Sequence, residues 1–354
     1  MHKIKSYIIK SFPSTLVNRL RTINVIKELM RSYLYLFGFR RYYPIYLKVK
    51  ASKNNFINSK LDNLENRWGG AFHEYNSTSN QFVVDLVWSD GPIPGNFGDW
   101  LSPYIISKVC DVDIRHLNEA GFKNKTHILA LGSIISCANK NSIILGSGVT
   151  NKKIKINPDS KFISVRGRYT ADLVLSQTNK VVDQFGDIGF LLERVYKPKA
   201  ISSYKNKYLL VRHIQHQNVA IEKSHLIDEY SIFAAHPVDM ELFIDELHSY
   251  EKVITSAMHC FIACISYGIP CALVSFDNKT NSVPGDGVKY IDSLSGVDLI
   301  ETPPLKISSD KEINLLSYLD AMLFNHGTIS SKTLDEIELA IISAVNIAKY
   351  TREK

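Results

Sequence analysis

His259 is the residue of this chain best placed to do chemistry. It closes the polar turn Thr255-Ser256-Ala257-Met258-His259, between an apolar run ending at Ile254 and another, Ala257–Tyr267, that stops at Gly268-Ile269-Pro270 before Cys271–Ser275. The pattern reads as buried strand, turn, helix, break and second buried strand. A strand that enters a helix through such a turn aims unpaired N–H groups and the positive end of the helix dipole at one point. Anions collect there, and an imidazole in the first turn can grip an anion or pass it a proton. Val253 to Phe276 holds no Asp, Glu, Lys or Arg, and its length would suit a membrane span. Thr255, Ser256, His259, Ser266, Gly268 and Pro270 interrupt it, which favours the strand-helix-strand reading.

Further polar turns end other apolar runs. Arg166-Gly167-Arg168 stands at a strand-to-helix junction, where a guanidinium clamps a phosphate or carboxylate, or else forms a surface salt bridge. Arg212 and His213 leave the strand Tyr208–Val211. Asp187, in Gly186-Asp187-Ile188-Gly189, can hold a sugar hydroxyl or cap the backbone. Asn96-Phe97-Gly98-Asp99 opens a helix, with Asp99 as an expected N-cap. Gly132-Ser133 and Gly146-Ser147-Gly148 follow strands, and in open α/β sheets such turns converge on the ligand crevice. Neither a dinucleotide fingerprint nor a Walker loop occurs. Asp111-Val112-Asp113 has the form of a metal-binding acid pair, but paired acids are common on surface loops. The five cysteines include no Cys-x-x-Cys pair, so zinc is not expected, and reduced thiols are the simplest reading.

The elements that must position these residues alternate between strand and helix. Expected strands are Phe82–Trp88, Ile128–Leu131, Ser142–Leu145, Phe162–Val165, Tyr208–Val211, Ser231–Ala234, Lys252–Ile254 and Cys271–Ser275. Expected helices are Asp99–Val109, Tyr169–Leu175, Val238–Ser249 and Ala257–Tyr267. Such alternation argues for parallel sheets in an α/β fold. The 354 residues suffice for two Rossmann-like domains, 81–200 and 201–310, meeting near Tyr196–Lys207, with C-terminal helices over 311–354. The tail can cover the second sheet or reach back across the first.

The net charge of +7 is uneven. Residues 1–50 carry eleven Lys or Arg and one acid, Glu28, whereas the remainder is slightly acidic. The body is therefore not a nucleic-acid binder by charge. Leu16, Leu20, Ile23, Ile26, Met30, Tyr33 and Phe37 recur at helical steps in this basic arm. It can lie on an anionic membrane surface or pack on its own protein. Residues 51–80 read as a linker, and no secretory signal is evident.

Taken together, these motifs resemble the polysaccharide pyruvyl transferases, most of all the exopolysaccharide branch that includes the succinoglycan enzyme. The resemblance spans roughly residues 85–300. It rests on Asn96-Phe97-Gly98-Asp99 with Leu101-Ser102-Pro103-Tyr104, Gly132-Ser133-Ile134-Ile135, Gly146-Ser147-Gly148-Val149, Arg166-Gly167-Arg168-Tyr169-Thr170 and Gly186-Asp187. It continues through His236-Pro237-Val238-Asp239, Ser256-Ala257-Met258-His259, Gly268-Ile269-Pro270 and Val288-Lys289-Tyr290-Ile291-Asp292. It implies two Rossmann-like sheets facing a cleft, similar to the two-domain glycosyltransferase (GT-B-like) architecture. It also implies transfer of pyruvate from phosphoenolpyruvate onto two hydroxyls of one sugar as a cyclic ketal, with no metal or organic cofactor. The acceptor would be a glycan, lipid-linked at the cytoplasmic face of the membrane. His259 and Asp99 are then the catalytic candidates. Asn96, Gly98, Arg166, Arg168, Asp187, Arg212, His213, Ser256 and Lys289 form the candidate substrate-binding set. Many members carry arginine two residues before the motif histidine; here Ala257 stands there, and Arg166, Arg168, Arg212 or Lys289 must supply the charge. A sugar-nucleotide glycosyltransferase and a non-catalytic assembly scaffold are the other functions the sequence admits.

Overall fold

A computed structural model describes residues 82–89, 95–117, 119–199, 203–235, 237–276, 283, 285–307 and 312–352. The basic arm, the 51–80 segment and His236 lie outside the described residues. All elements below belong to one compact unit, Gly70–Lys354.

Two parallel five-stranded sheets form the α/β fold. The first contains β1 (Val83–Val87), β2 (Asp113–His116), β3 (His127–Leu129), β4 (Ser142–Leu145) and β5 (Lys161–Ser164), in the order β2-β1-β3-β4-β5. The second contains β6 (Tyr204–Val211), β7 (Ile227–Tyr230), β8 (Tyr250–Thr255), β9 (Cys271–Phe276) and β10 (Leu305–Ile307). Its order, β7-β6-β8-β9-β10 from one edge, repeats that of the first. The helices are α1 (Phe97–Cys110), α2 (Glu119–Asn124), α3 (Arg168–Thr178), α4 (Leu192–Val195), α5 (Pro237–Leu247), α6 (Met258–Ser266), α7 (Val288–Ser295) and α8 (Ser331–Arg352).

Central strands show no polar alternation because parallel sheets are covered on both faces. All four residues of β4 are buried, as are five of the six in β9. The uncharged stretch Val253–Phe276 resolves into β8, α6 and β9, and among the described residues no helix is long and apolar enough to cross a membrane. Cys260, Cys264 and Cys271 are buried free thiols within that unit. Asp111 takes a left-handed φ of 49° at the C-cap of α1 and Asp113 opens β2, so the acid pair marks a helix-to-strand turn.

Two expectations change. Ser231–Ala234 is not a strand: pairing with β6 ends at Tyr230, and the Ile232 carbonyl instead accepts the Phe97 N–H at 3.0 Å, at the entry to α1. The first tail helix is a 3-10 segment, Leu315–Ala321. Its successor α8 reaches back to pack on α1, β1, β3, β4 and β5. The buried stripe Ile337, Ile341, Ala344, Val345 and Ala348 makes that contact.

A polar seam joins the two halves. The Tyr104 hydroxyl of α1 donates to Glu241 of α5 at 3.2 Å, and the Tyr196 hydroxyl to Asp245 at 2.8 Å. The Tyr267 hydroxyl bonds the carbonyls of Leu192 and Tyr196, both at 2.9 Å. In such sheets, ligands bind beyond the carboxyl ends of strands, where the strand order reverses. Those points lie between β1 and β3 and between β6 and β8. Because α8 closes the first sheet, Ile341→Ala, at a fully buried position, should cost about 2–5 kcal/mol in urea denaturation.

Candidate active site

Both reversal points supply residues to one place. After β1 the chain reaches Asn96, whose Oδ1 accepts the Gly98 N–H at 3.4 Å and whose Nδ2 donates to Asp99 Oδ2 at 3.0 Å. Asn96 is thus the N-cap of α1, and Asp99 stands in its first turn. After β6 comes His213, and after β8 come Ser256 and His259. Ser256 is fully buried, and its Oγ accepts the His213 N–H at 2.9 Å, tying the two loops together.

His259, in the first turn of α6, joins the halves. A β-carbon on Gly98 would collide with the His259 ring, so the Nδ1 edge of the imidazole rests where Gly98 has only hydrogen. On the other side Nε2 lies 3.5 Å from Asp187 Oδ2. Asp187 is fully buried, and its Oδ1 accepts the Gly189 N–H at 2.9 Å. The His259 side chain keeps 12% of its surface exposed. It is neither sealed in apolar packing nor free to swing. No side chain caps α6, since Ala257 occupies its N-cap.

Lys289 and His213 complete the electrostatic setting. Burial pushes the Lys289 ammonium down to about 8, with Arg166 adding to the shift and Asp99 opposing it. Among the described residues no carboxylate pairs with it; its Nζ lies 5.0 Å from the centre of the Tyr290 ring. Burial pushes His213 down to about 3, and the fields of Lys289, His216 and His259 act in the same sense. Its Nδ1 accepts the Gln215 N–H at 3.1 Å, so the neutral ring carries its proton on Nε2, as a donor. The fields of Lys289 and His259 thus reach His213, and that of Asp99 reaches Lys289.

The three arginines expected to hold an anion are committed elsewhere. Arg166 is fully buried: Nε donates to Asp292 Oδ2 at 2.9 Å, Nη1 to Ser133 Oγ at 2.7 Å and Nη2 to the Val149 carbonyl at 2.7 Å. A β-carbon on Gly148 would collide with its guanidinium. Asp292 also accepts from the Thr170 N–H and hydroxyl, at 2.9 and 2.7 Å. Arg166 is therefore half of a buried ion pair between the end of β5 and α7. Arg168 forms the surface alternative, an exposed pair with Asp298, its guanidinium 5.0 Å from the Phe185 ring centre. Arg212 bonds Glu229 at 2.6 Å and the carbonyls of His216 and Val219 at 3.2 and 2.8 Å, bracing its own loop. Ser256 likewise holds His213 and leaves no exposed hydroxyl for a ligand. Lys289 is the expected cation that stays available.

One position escapes the sequence reading, Asp292, which enters it only as the end of the Val288–Asp292 segment. Asp187 is among the candidates, as a hydroxyl ligand or a backbone cap. The capping is observed; the approach to His259 spans 72 residues, and nothing local in the sequence announces it.

The polysaccharide pyruvyl transferase family model matches residues 39–278. The chain belongs to that family. As a member it is a transferase acting with pyruvyl groups in polysaccharide biosynthesis. Uncharacterized protein L143 of Acanthamoeba polyphaga mimivirus is 29% identical, with 56% of this chain and 70% of that protein covered. Among solved structures, the functionally uncharacterized protein KP1_0663 of Klebsiella pneumoniae subsp. pneumoniae NTUH-K2044 aligns at 16% identity with a TM-score of 0.38. That alignment covers 72% of this chain and 99% of the other. The family match includes Asn96, Gly98, Asp187 and His259 and stops short of Lys289 and Asp292.

In this pyruvyl transferase, Arg166→Ala should cost about 3–5 kcal/mol in urea denaturation, because Asp292 is left charged and buried. Combining Arg166→Met with Asp292→Leu should restore most of that loss. An Arg166→Ala protein of native stability with weakened donor binding would instead make Arg166 a ligand residue.

Proposed function

We propose that the protein transfers pyruvate from phosphoenolpyruvate to two hydroxyls of one sugar in a bacterial surface polysaccharide or its lipid-linked precursor, giving a cyclic ketal. Family membership supports the group transferred, and the observation that carries the donor is Lys289. A half-buried ammonium that no carboxylate among the described residues pairs, close enough to His213 to depress its protonation, suits a small anion with a carboxylate and a phosphate. The Nε2–H of His213 offers a neutral donor to the same anion.

The chemistry then runs in two steps. One sugar hydroxyl adds to the central carbon of the enol ester, its proton leaves to a base, and the methylene carbon takes a proton to become a methyl group. The second hydroxyl adds to the same carbon as the C–O bond to phosphate breaks, and its proton departs as the ring closes. His259 moves protons at the reacting carbons. Asp99, in the first turn of α1, orients a sugar hydroxyl. Lys289 neutralises charge on the departing phosphate. No step calls for a metal or an organic cofactor.

The two sheets, meeting where Gly98 touches His259, fit a GT-B-like arrangement around this cleft. The basic arm fits an anchor on the anionic inner face of the cytoplasmic membrane, where lipid-linked glycans are assembled.

Purified protein given phosphoenolpyruvate and a lipid-linked or synthetic glycan should release phosphate and add one pyruvate per product. Thermal stabilisation by a sugar nucleotide, with none by phosphoenolpyruvate, would overturn the reading. The Lys289 charge gives it a pH signature. Lys289 is protonated below about pH 8 and loses its charge above it. Accordingly, kcat/KM for phosphoenolpyruvate, which reports the free enzyme, should fall as pH rises through that value. Lys289→Met should lower kcat/KM about tenfold to a hundredfold at neutral pH and abolish that limb. Lys289→Arg should move the limb to higher pH.

A further inference from the structure

We propose that Asp187 is the positioning residue of His259, holding the neutral imidazole's proton on Nε2 so that Nδ1 exchanges protons with the substrate. The proposal rests on the reading above, in which His259 moves a proton during pyruvyl transfer.

Three observations converge on it. Nε2 of His259 is buried with no hydrogen-bond partner, and so is Oδ2 of Asp187, yet the two lie 3.5 Å apart. A fully buried carboxylate oxygen and a buried ring nitrogen are each costly to leave unmatched. Here each is the other's nearest remedy. The separation exceeds an ideal hydrogen bond, as catalytic contacts in ligand-free sites often do before substrate tightens them.

The second observation is access. With Nε2 enclosed behind Asp187, the exposed 12% of the side chain lies elsewhere on the residue. Nδ1 lies over Gly98, at the first turn of α1 and near Asp99. A proton passing between His259 and a substrate must therefore pass through Nδ1. Nδ1 can accept only when the neutral ring keeps its hydrogen on Nε2. An ionised carboxylate, which only accepts, enforces that tautomer.

The third is that neither partner can turn away. The Gly189 N–H fixes Asp187 Oδ1, and the close approach of Gly98 to the ring limits its rotation. When Nδ1 takes a proton, the positive charge spreads over a ring already facing a carboxylate. Asp187 thereby stabilises the imidazolium that returns the proton to carbon or to phosphate.

Asp187→Asn tests this without changing the volume of the side chain. The Gly189 N–H keeps the amide oxygen at the Oδ1 position and turns the NH2 group toward Nε2. Nε2 must then accept, and the imidazole hydrogen shifts to Nδ1, the side facing the substrate.

The experiment uses the full-length chain with 15N-labelled histidine, recorded by NMR above the imidazole titration. The His259 signals are those missing in a His259→Gln spectrum. Wild type should show the Nε2–H tautomer, and Asp187→Asn the Nδ1–H tautomer. Phosphate release from phosphoenolpyruvate should fall about 10²–10⁴-fold in kcat in Asp187→Asn, with KM for phosphoenolpyruvate changed by less than about threefold. An Nδ1–H tautomer in wild type would overturn the proposal, even if Asp187→Asn fails to fold. So would a folded Asp187→Asn protein that keeps the wild-type tautomer and kcat. If the tautomers invert as expected but neither protein turns over phosphoenolpyruvate, the assignment of Asp187 stands and the donor reading falls.

Discussion

The position of His259 depends on two neighbours that exclude everything else. Gly98 has no side chain, so the ring lies directly on the start of α1, and Asp187 stands behind Nε2 without reaching solvent. These residues come from three distant segments and from loops of both sheets. The site therefore exists only while the two halves keep one relative placement. Several features serve that placement. The buried Arg166–Asp292 pair joins the end of β5 to α7, the tyrosine–carboxylate seam joins α1 to α5, and α8 returns from the second half to cover the first sheet. Breaking any of these would be felt at His259, although none lies at the reacting carbon.

The division of labour among the cations follows from their chemistry. A guanidinium is planar, weakly hydrated and always charged, so it tolerates burial when its fork is matched, as Arg166 is by Asp292, Ser133 and Val149. Such a group cannot also serve a ligand. An ammonium is a compact point charge whose protonation shifts on burial, and Lys289 shows that shift. With Ala257 at the N-cap of α6, no charged side chain stands at that helix start, and Lys289 is a half-buried cation whose charge depends on pH. Arg166 still contributes at a distance, because its field helps to depress Lys289.

Periodicity disclosed the central strands and the four main helices, because buried parallel strands are uniformly apolar and their connecting helices amphipathic. Ser142–Leu145 matches β4 to the residue. Of the edge strands only β5, expected over Phe162–Val165, passed that test; β2, β7 and β10 did not. In β2 (Asp-Ile-Arg-His) only Ile114 is fully buried, so the segment reads as a polar loop, and β10 is three residues long. Ser231–Ala234 reads as a strand because it is apolar, but Ile232 and Ala234 are buried without a ladder. Site residues were legible as positions and less so as roles. Gly98, Ser256, Arg166 and Arg212 all sit at the predicted turns, yet each supports a neighbour. Burial and pairing separate those outcomes, over 126 residues for Arg166 and 43 for Ser256.

The repeated strand order explains why one imidazole serves both halves. Each sheet reverses direction between its first and third strands in sequence, so each presents two loops at a single crevice. In the first half these are the loop carrying Asn96–Asp99 and the turn at Gly132-Ser133; in the second they are the loops carrying His213 and His259. Helix α1 begins in the first of these loops and α6 in the last, so two helix N-termini meet where the His259 ring lies on Gly98. Burial is the main cause of the depressed protonation of His213 and Lys289, and neighbouring cations add to it. The His259 imidazole stands between the buried carboxylate of Asp187 and Gly98, and the glycine on that side of the ring is what lets the imidazole reach Asp187.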